Sequence, residues 1–378
     1  MKLMHLSDLH LGLRLNEFSM LEDQTYILRE ILTIADREHP DAVLIAGDIY
    51  DKAVPPAEAV VLFDEFLSEL ARRNLAVLMI SGNHDSPERI AFGSRLLRHS
   101  RVYLAPVYDG RVEPVTLEDA FGPVDFWLLP FLRPAHVRRF YPEEATDTYT
   151  QAMACAVGHM AIDPLRRNVL VTHQFVTGAT KCESENVTVG GTDNVDAAVF
   201  SPFTYTALGH IHSPQNAGGE RVRYCGTPLK YSFSEAAQEK SVTMVELGET
   251  GGVLVRTIPL TPLRDLLEVR GTYLEVTARS FYEKFDQNAY LHVTLTDEED
   301  IPDAVGKLRS VYPNLMKLDY DNRRTHCGGT ITGAENVQSK SPMELFDEFF
   351  EAQNGQPMHD EERSFIRRQI ETIWEAEV

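Results

Sequence analysis

The sequence has few of the features that would place it in a membrane or in an oxidising compartment. Its 378 residues include four cysteines, and these are scattered without a Cys-x-x-Cys pair. This spacing excludes a zinc ribbon and predicts free thiols in a reducing cytoplasm. The chain has no run of about 18 apolar residues, which argues against a membrane span. Its amino-terminal residues lack an apolar core and a cleavage site, so we expect no secretory signal.

Positive charge is scarce as well. The chain has 36 lysines and arginines against 57 aspartates and glutamates, which gives a formal net charge of −21. This balance argues against a protein that grips nucleic acid by itself, because phosphate contacts rely on lysine and arginine clusters. It does not exclude a substrate that contains phosphate, since bound divalent metal ions would add local positive charge. A basic partner protein could supply the missing charge in the same way.

The sequence does contain a series of short apolar runs that end in polar, chemically active residues. The clearest run, Ala42–Ala46, leads through Gly47 into Asp48. Helical spacing of apolar residues between the first three runs predicts the order strand–helix–strand–helix–strand, which is typical of a parallel α/β sheet. Ligands of such sheets bind at the carboxyl ends of the strands. We therefore expect a functional site at that edge.

Carboxylate, amide and imidazole side chains follow these predicted strands. They are Asp8, His10, Asp48, Asn83, His84, His173, His210 and His212. Nitrogen and oxygen ligands without a thiolate suit Mn²⁺, Fe²⁺ or Zn²⁺, and this set is too large for one ion. We predict two ions about 3.5–4 Å apart, with Asp48 able to bridge them. Such a pair lowers the pKa of a shared water toward roughly 7, as phosphoester cleavage requires, while a histidine that is not a ligand protonates the leaving oxygen.

This order of motifs resembles the calcineurin-like metallophosphoesterase superfamily over about the first 230 residues. The resemblance implies an α/β fold, a β-sandwich flanked by helices, with two divalent metal ions, and we expect Mn²⁺. One ion would be held by Asp8, His10, Asp48 and His212. The other would be held by Asp48, Asn83, His173 and His210. His84 would act as the general acid or as a histidine that contacts the phosphate.

Longer stretches resemble one bacterial nuclease family of this superfamily, whose members work in DNA repair and recombination with an SMC-like ATPase subunit. The stretches are GDIYDKAVPP at 47–56, SGNHDSPERI at 81–90, VGGTD at 189–193, ALGHIHSPQ at 207–215 and YCGTPLKYSF at 224–233. The resemblance implies an ATP-dependent 3′→5′ exonuclease on duplexes and an endonuclease on single strands and hairpins. It also implies a homodimer within a heterotetramer that binds DNA ends, with a cytoplasmic, nucleoid-associated location.

The same resemblance divides the chain into three parts. These are a nuclease domain at 1–262, a small α/β capping domain at 263–335 and a helical partner-docking segment at 336–378. Within the capping domain we predict strands at 273–277, 290–295 and 315–320 and a helix near 301–311. Ser341 and Pro342 have the chemistry of a helix start, and apolar residues from Phe365 to Trp374 mark a final helix.

Asp51 and its neighbour narrow the substrate class. Ser/Thr phosphatases of the superfamily carry an arginine where this chain has Lys52, so we expect a phosphodiester substrate. Archaeal and eukaryotic relatives of the nuclease family carry a histidine at the position of Asp51. We predict that Asp51 hydrogen-bonds His84 and keeps it protonated and aimed at the leaving group, although Asp51 could instead only cap a turn. Arg89 and Lys230 are weaker candidates for contacts to the DNA backbone, and surface solvation would explain them equally well.

Two other functions stay open at this stage. The chain could hydrolyse small nucleotide diesters, but its appended domain and helices speak against this because a small substrate needs neither. It could also be a non-catalytic scaffold that uses the fold for binding. The intact set of candidate ligands speaks against the scaffold.

Overall fold

The computed structural model describes residues 1–182, 185, 193–322, 342–354 and 357–375. Most of the VGGTD motif and the end of the expected capping domain lie outside these residues. By its contacts the chain divides into two units, one formed by 1–295 with 301–319 and the other by 296–300 with 320–378. Cys155, Cys182 and Cys225 are free thiols, as predicted, and Cys327 lies outside the described residues.

Two six-stranded sheets form the core of the first unit within the described residues. The strands of one sheet are ordered Val253–Pro259, Ser241–Leu247, Lys2–Leu6, Ala42–Ala46, Ala76–Ile80 and Val102–Leu104. The last four run parallel to one another, whereas Ser241–Leu247 pairs antiparallel with both Lys2–Leu6 and Val253–Pro259. Ala42–Ala46 and Ala76–Ile80 consist of five apolar residues each and are wholly buried, as expected for strands covered on both faces.

The second sheet has a parallel centre and an antiparallel strand at each edge. Its strands are ordered Gln215–Asn216, Val222–Tyr224, Tyr205–Gly209, Arg167–His173, Gly122–Leu129 and Val115–Asp119. The inner faces of the two sheets share one apolar core. Leu44 and Leu78 from the first sheet lie in the same buried cluster as Phe126 and Val171 from the second. The predicted α/β sandwich is therefore confirmed.

Helices cover the outer faces of both sheets. Leu21–Glu38 and Ala57–Arg72 bury residues such as Ile31 and Phe66 in a cluster with the first sheet. Tyr149–Gly158 packs on the second sheet in the same way. Shorter helices are Pro87–Ile90, Ser94–Leu97, Pro134–Arg138, Tyr273–Val276, Arg279–Tyr282 and Ala304–Arg309. There are 3₁₀ turns at Arg98–Ser100, Ala197–Phe200 and Phe233–Glu235. Arg14–Leu15 and Phe18–Ser19 form a small hairpin.

A three-stranded sheet follows the two large sheets in the chain. Its strands are ordered Leu266–Gly271, Tyr290–Leu295 and Leu315–Tyr320. The strand predicted at 273–277 is wrong, because Tyr273–Val276 is a helix. Thr272 and Glu275 form a capping box, in which each side chain accepts a hydrogen bond from the other residue's main-chain N–H, and this favours a helix start over an extended strand.

Phe233 joins the small sheet to the rest of the first unit. Its side chain lies in a buried cluster with Met20, Leu266 and Tyr290, and its ring centroid is 5.2 Å from that of His292. Phe233 opens the 3₁₀ turn Phe233–Glu235. The small sheet is thus packed against a turn that continues toward the edge where the candidate ligands lie.

The second unit contains the helices Pro342–Asn354 and Asp360–Glu375, at the positions predicted from the sequence. Phe349 and Phe365 on these helices are exposed. In the part of the chain that the structure describes, no helix combines the length and the apolar character needed to cross a membrane.

Candidate metal centre

The strand ends of both sheets bring the predicted ligands to one edge of the sandwich. The first sheet contributes the residues that follow Lys2–Leu6, Ala42–Ala46 and Ala76–Ile80, and the second sheet contributes those at the ends of Arg167–His173 and Tyr205–Gly209. The side chains that arrive there are buried, except for the half-buried Asn83 and His84. A site expected from strand order alone is thus assembled from two separate sheets.

The backbone is strained at several of these positions. Asp8, His10, Asp48 and His210 have φ angles of 52°, 43°, 47° and 100°, which non-glycine residues rarely adopt. Such conformations persist where the surrounding structure holds them in place, and they are common at functional sites. Here the Asp8 N–H donates to the Gly47 carbonyl and the His10 N–H to the Asp48 carbonyl, each at 3.0 Å.

The glycines of the strand-end motifs allow main chains to approach closely. A Cβ atom at Gly82 would lie 2.1 Å from Oδ1 of Asp48, and one at Gly209 would lie 1.9 Å from the carbonyl oxygen of Ala46. Both distances are far below contact, so a side chain at either position would force these loops apart. The Gly-Asn-His and Gly-His motifs therefore need glycine for space.

One group of ligands gathers around the first strand. The ligand atoms of Asp8, His10 and His212 all lie within 4.8 Å of one another. Nε2 of His10 is 3.2 Å from Nε2 of His212 and 3.8 Å from Oδ2 of Asp48. Two buried imidazole nitrogens that face each other beside carboxylates fit a divalent cation with nitrogen and oxygen ligands.

A second group lies on the other side of Asp48. The ligand atoms of Asp48, His173 and His210 are again within 4.8 Å of one another. Oδ2 of Asp48 is 3.3 Å from Nε2 of His173, and Oδ1 of Asn83 is 2.9 Å from nitrogen atoms of both His173 and His210. The residues fall into the two sets that the sequence resemblance implied, with Asp48 next to both.

Burial and charge act differently on the members of this centre. Burial opposes ionisation of Asp48, but neighbouring imidazoles, first His173, outweigh it and lower the pKa of Asp48 below its ordinary value. Burial and then the charge of His173 lower the pKa of His210 to about 3. At His173 burial lowers the pKa, but the charges of Asp48 and Asp8 together with hydrogen bonding outweigh it and raise the pKa to about 9. Ionised carboxylate and neutral imidazole are the forms that bind a metal ion, so His173 must lose a proton when a metal ion binds.

Comparison with known proteins agrees with this geometry. The calcineurin-like phosphoesterase family matches residues 1–214, and a family described as "Type 5 capsule protein repressor C-terminal domain" matches residues 262–354. A curated relative from Staphylococcus saprophyticus, named as the SbcD component of the nuclease SbcCD, is 32% identical over 99% of this chain and 99% of its own length. A relative of the same name from Staphylococcus epidermidis is 34% identical over 84% of this chain and 85% of its own length. The chain belongs to the SbcD family of calcineurin-like phosphoesterases. Members of this family are metal-dependent hydrolases, and the enzyme class expected from the sequence is confirmed.

His84 lies beside the first ligand group of this SbcD-family centre. Its ring centroid is 4.9 Å from that of His10 at an interplanar angle of 88°, and its main-chain N–H donates to Oδ1 of Asp48 at 2.9 Å. Its Nδ1 is 2.9 Å from the main-chain carbonyl oxygen of Asp51. The carbonyl thus fixes one ring nitrogen and leaves Nε2 as the atom for chemistry.

The expected role of the Asp51 side chain needs correction. His84 donates its hydrogen bond to the main-chain carbonyl oxygen of Asp51, whereas the carboxylate Oδ1 of Asp51 lies 4.0 Å from Nδ1 of His10. The carbonyl is turned toward His84, so the side chain is directed toward His10 instead. Asp51 can act on His84 through its charge, but its carboxylate is not the group that aims the ring.

Replacing Asp51 with asparagine should therefore lower DNA cleavage by about tenfold or less. The main-chain hydrogen bond survives the change, and a charge interaction at a partly exposed position is worth about 1 kcal/mol, where 1.36 kcal/mol is tenfold in rate. Metal content should stay intact. Steady-state cleavage and metal analysis of the same preparation check both points, and loss of the metal ions in Asp51→Asn would show that Asp51 belongs to the ligand set.

Sequence reasoning missed the buried carboxylate of Asp85. It accepts hydrogen bonds from the main-chain N–H groups of Gly82, Ile49 and Tyr50 at 2.9, 3.1 and 3.0 Å. It thereby ties the turn after Asp48 to the turn that carries the candidate ligand Asn83. Burial, followed by the charge of Asp48, raises the pKa of Asp85 to about 6. Its position directly after Gly-Asn-His was the available signal.

Replacing Asp85 with alanine should lower the free energy of unfolding by roughly 3 kcal/mol. Hydrogen bonds to a charged group are worth about 1.5–3 kcal/mol each, and the change leaves three buried N–H groups without their acceptor. Urea denaturation of the purified chain measures the loss. Asp109 is exposed and accepts one local hydrogen bond from Arg111, so Asp109→Ala serves as the control, with an expected change within about 0.5 kcal/mol. Equal losses in the two variants would contradict the bracing role of Asp85.

The two candidate DNA contacts have different surroundings. Arg89 is exposed on the helix Pro87–Ile90, directly after the turn that carries His84, and its DNA contact stays a prediction. Lys230 instead forms an ion pair with Asp265 at 2.8 Å and donates to the carbonyl of Ala236 at 2.7 Å. Two of the three donors of this ammonium thus have partners within the protein, and a contact of Lys230 to DNA stays a prediction.

Proposed function

We propose that this SbcD-family chain is a two-metal DNA phosphodiesterase that works with an SMC-like ATPase subunit of the SbcC type. The observation that carries the proposal is the pair of ligand groups on either side of Asp48, with His84 next to them. We assign one metal ion to Asp8, His10, Asp48 and His212. We assign the other metal ion to Asp48, Asn83, His173 and His210. Both ions are proposed to be Mn²⁺.

The residues of the chain have separate tasks in this reaction. When bound, two divalent ions supply positive charge for the phosphate oxygens and lower the pKa of the attacking water. Asp48 fixes the spacing of the two ligand groups, because it lies 3.8 Å from His10 and 3.3 Å from His173. His84 carries the proton for the leaving oxygen on Nε2, while Nδ1 is anchored on the Asp51 carbonyl. The absence of an arginine after Asp51 favours a diester over a monoester.

We also propose more specific activities, which are implied by the family resemblance. They are ATP-dependent 3′→5′ exonuclease cleavage of duplexes, endonuclease cleavage of single strands and hairpins, and a role in DNA repair and recombination. The net charge of −21 supports a role for the partner in DNA binding, since phosphate contacts need basic residues. We propose a homodimer within a heterotetramer, at the nucleoid of the cytoplasm.

The parts of the chain have different proposed roles. We assign residues 1–262 to the nuclease domain and 263–335 to a capping domain. Residues 336–378 would dock on the coiled coil of the ATPase. Phe349 and Phe365, 59% and 54% exposed on the last two described helices, support the docking role because they offer apolar side chains to a partner.

A cleavage assay separates this function from its alternatives. The purified chain is incubated with Mn²⁺ and an end-labelled DNA hairpin, alone and with its ATPase partner and ATP, and in parallel with a small nucleotide diester. We expect hairpin cleavage that depends on Mn²⁺ and is strongest with the partner. Cleavage of the small diester but never of DNA would support a nucleotide hydrolase. Bound metal ions without cleavage of either substrate would support a scaffold.

A further inference from the structure

Glu235 is a buried carboxylate directly behind the candidate ligand His212. It is fully buried, and its Oε1 lies 3.6 Å from Nδ1 of His212. The other nitrogen of the same ring, Nε2, faces Nε2 of His10 at 3.2 Å. The two nitrogens of the His212 ring thus have opposite environments, with a carboxylate on one side and the ligand group on the other.

Lys240 makes this carboxylate part of a network around His212. Its ammonium, also buried, is 2.5 Å from Oε2 of Glu235 and donates to the carbonyl oxygen of His212 at 2.9 Å. The hydroxyl of Thr227 adds longer contacts to the same two oxygens, at 3.4 and 3.5 Å. Ring and main chain of His212 are therefore held from the side that faces away from the ligand group.

His173, in the other ligand group, also has a contact at the ring nitrogen that faces away from the ligands. Its Nδ1 contacts the main-chain carbonyl of Ala46 at 2.8 Å, while its Nε2 faces Asp48 at 3.3 Å. A contact to the distal ring nitrogen, from a carboxylate or a carbonyl, fixes the orientation of a histidine ligand and increases its basicity. Glu235 fits that task at His212.

We propose that Glu235 is a positioning residue that holds Nε2 of His212 toward the first ligand group and strengthens metal binding there. The inference rests on the proposed function, because it takes His212 as a metal ligand. Glu235 itself belongs to neither ligand group and acts through His212. The competing role is purely structural, in which Glu235 serves only to neutralise the buried ammonium of Lys240.

Mn²⁺ titration of the full chain by calorimetry tests the proposal with three variants. Glu235→Gln removes the carboxylate. Glu235→Gln combined with Lys240→Gln removes both buried charges and keeps an amide donor for the His212 carbonyl, so that no unpaired ammonium is left. Asp119→Asn is the matched control, because Asp119 pairs with the buried Arg167 at 2.6 Å on the edge of the second sheet. Thermal unfolding with a chelator present records the stability of each variant.

We expect wild type and Asp119→Asn to bind two Mn²⁺ ions with the same affinities. Both Glu235 variants should bind one of the two ions about 10–100-fold more weakly, which is the usual effect of losing such a contact, whatever their stability. Wild-type affinity in the double variant would overturn the proposal, since Glu235 would then only balance Lys240. Wild-type affinity in Glu235→Gln would overturn it as well. Failure of the wild-type chain to bind two ions would instead refute the proposed function.

Discussion

Replacing Asp48 with asparagine is expected to reduce DNA cleavage by about 10⁴-fold or more. Two metal ions contribute several kcal/mol of charge stabilisation, and about 5 kcal/mol corresponds to almost four orders of magnitude in rate. Asp48 is the carboxylate next to both ligand groups, 3.8 Å from Nε2 of His10 and 3.3 Å from Nε2 of His173. Its other oxygen accepts the N–H of His84. One substitution therefore weakens both metal positions and the turn that carries the proton donor.

Metal analysis and cleavage kinetics on the same samples check this result. Asp48→Asn should retain less than one Mn²⁺ ion per chain after gel filtration, while the wild type retains two. Asp64 is exposed on the helix Ala57–Arg72, so Asp64→Asn makes the same chemical change away from the centre and should behave as wild type. A variant Asp48→Asn that keeps both ions and cuts DNA would rule out the bridging assignment.

Replacing His84 with glutamine is expected to lower cleavage by about 10²–10⁴-fold, the usual contribution of a general acid, with no change in metal content. The ring of His84 stands next to that of His10 and lies outside the two ligand groups that adjoin Asp48, although its ligand atoms lie near those of His10 and Asp51. Its Nδ1 is taken by the Asp51 carbonyl. Glutamine fills similar space but cannot deliver a proton to the leaving oxygen. The cleavage rate of His84→Gln should therefore fall while its metal binding stays unchanged, whereas both should fall in Asp48→Asn.

A modified substrate distinguishes the two roles that the sequence left open for His84. In a DNA strand whose bridging leaving oxygen is replaced by sulfur, the leaving group departs without protonation. If His84 is the general acid, His84→Gln should cut this substrate nearly as fast as the wild type does. An equal defect on both substrates would indicate that His84 contacts the phosphate and does not supply the proton.

The sequence predicted the parts of this centre that depend on local order. Each candidate ligand follows a short apolar run, and parallel strands bring such residues to one edge, so their gathering at that edge could be anticipated before the structure. Their division into two groups was implied only by the family resemblance. The direction of Asp51 could not, because a turn can present either its carbonyl or its carboxylate to His84. Glu235 was missed because it is 23 positions from His212 in the chain, and only the fold brings them together. The prediction of a strand at 273–277 was wrong because Thr272 and Glu275 have the capping-box pattern that starts a helix.

The turn Phe233–Glu235 connects the candidate metal centre to the three-stranded sheet, which contributes none of the candidate ligands. Phe233 is anchored among Leu266 and Tyr290 of the three-stranded sheet, and two residues later Glu235 stands behind His212. The packing of the sheet and the position of the carboxylate behind His212 therefore depend on the same three residues of main chain. If Glu235 positions His212 as proposed, substitutions in the sheet that loosen the packing of Phe233 should weaken metal binding although they lie outside the ligand groups.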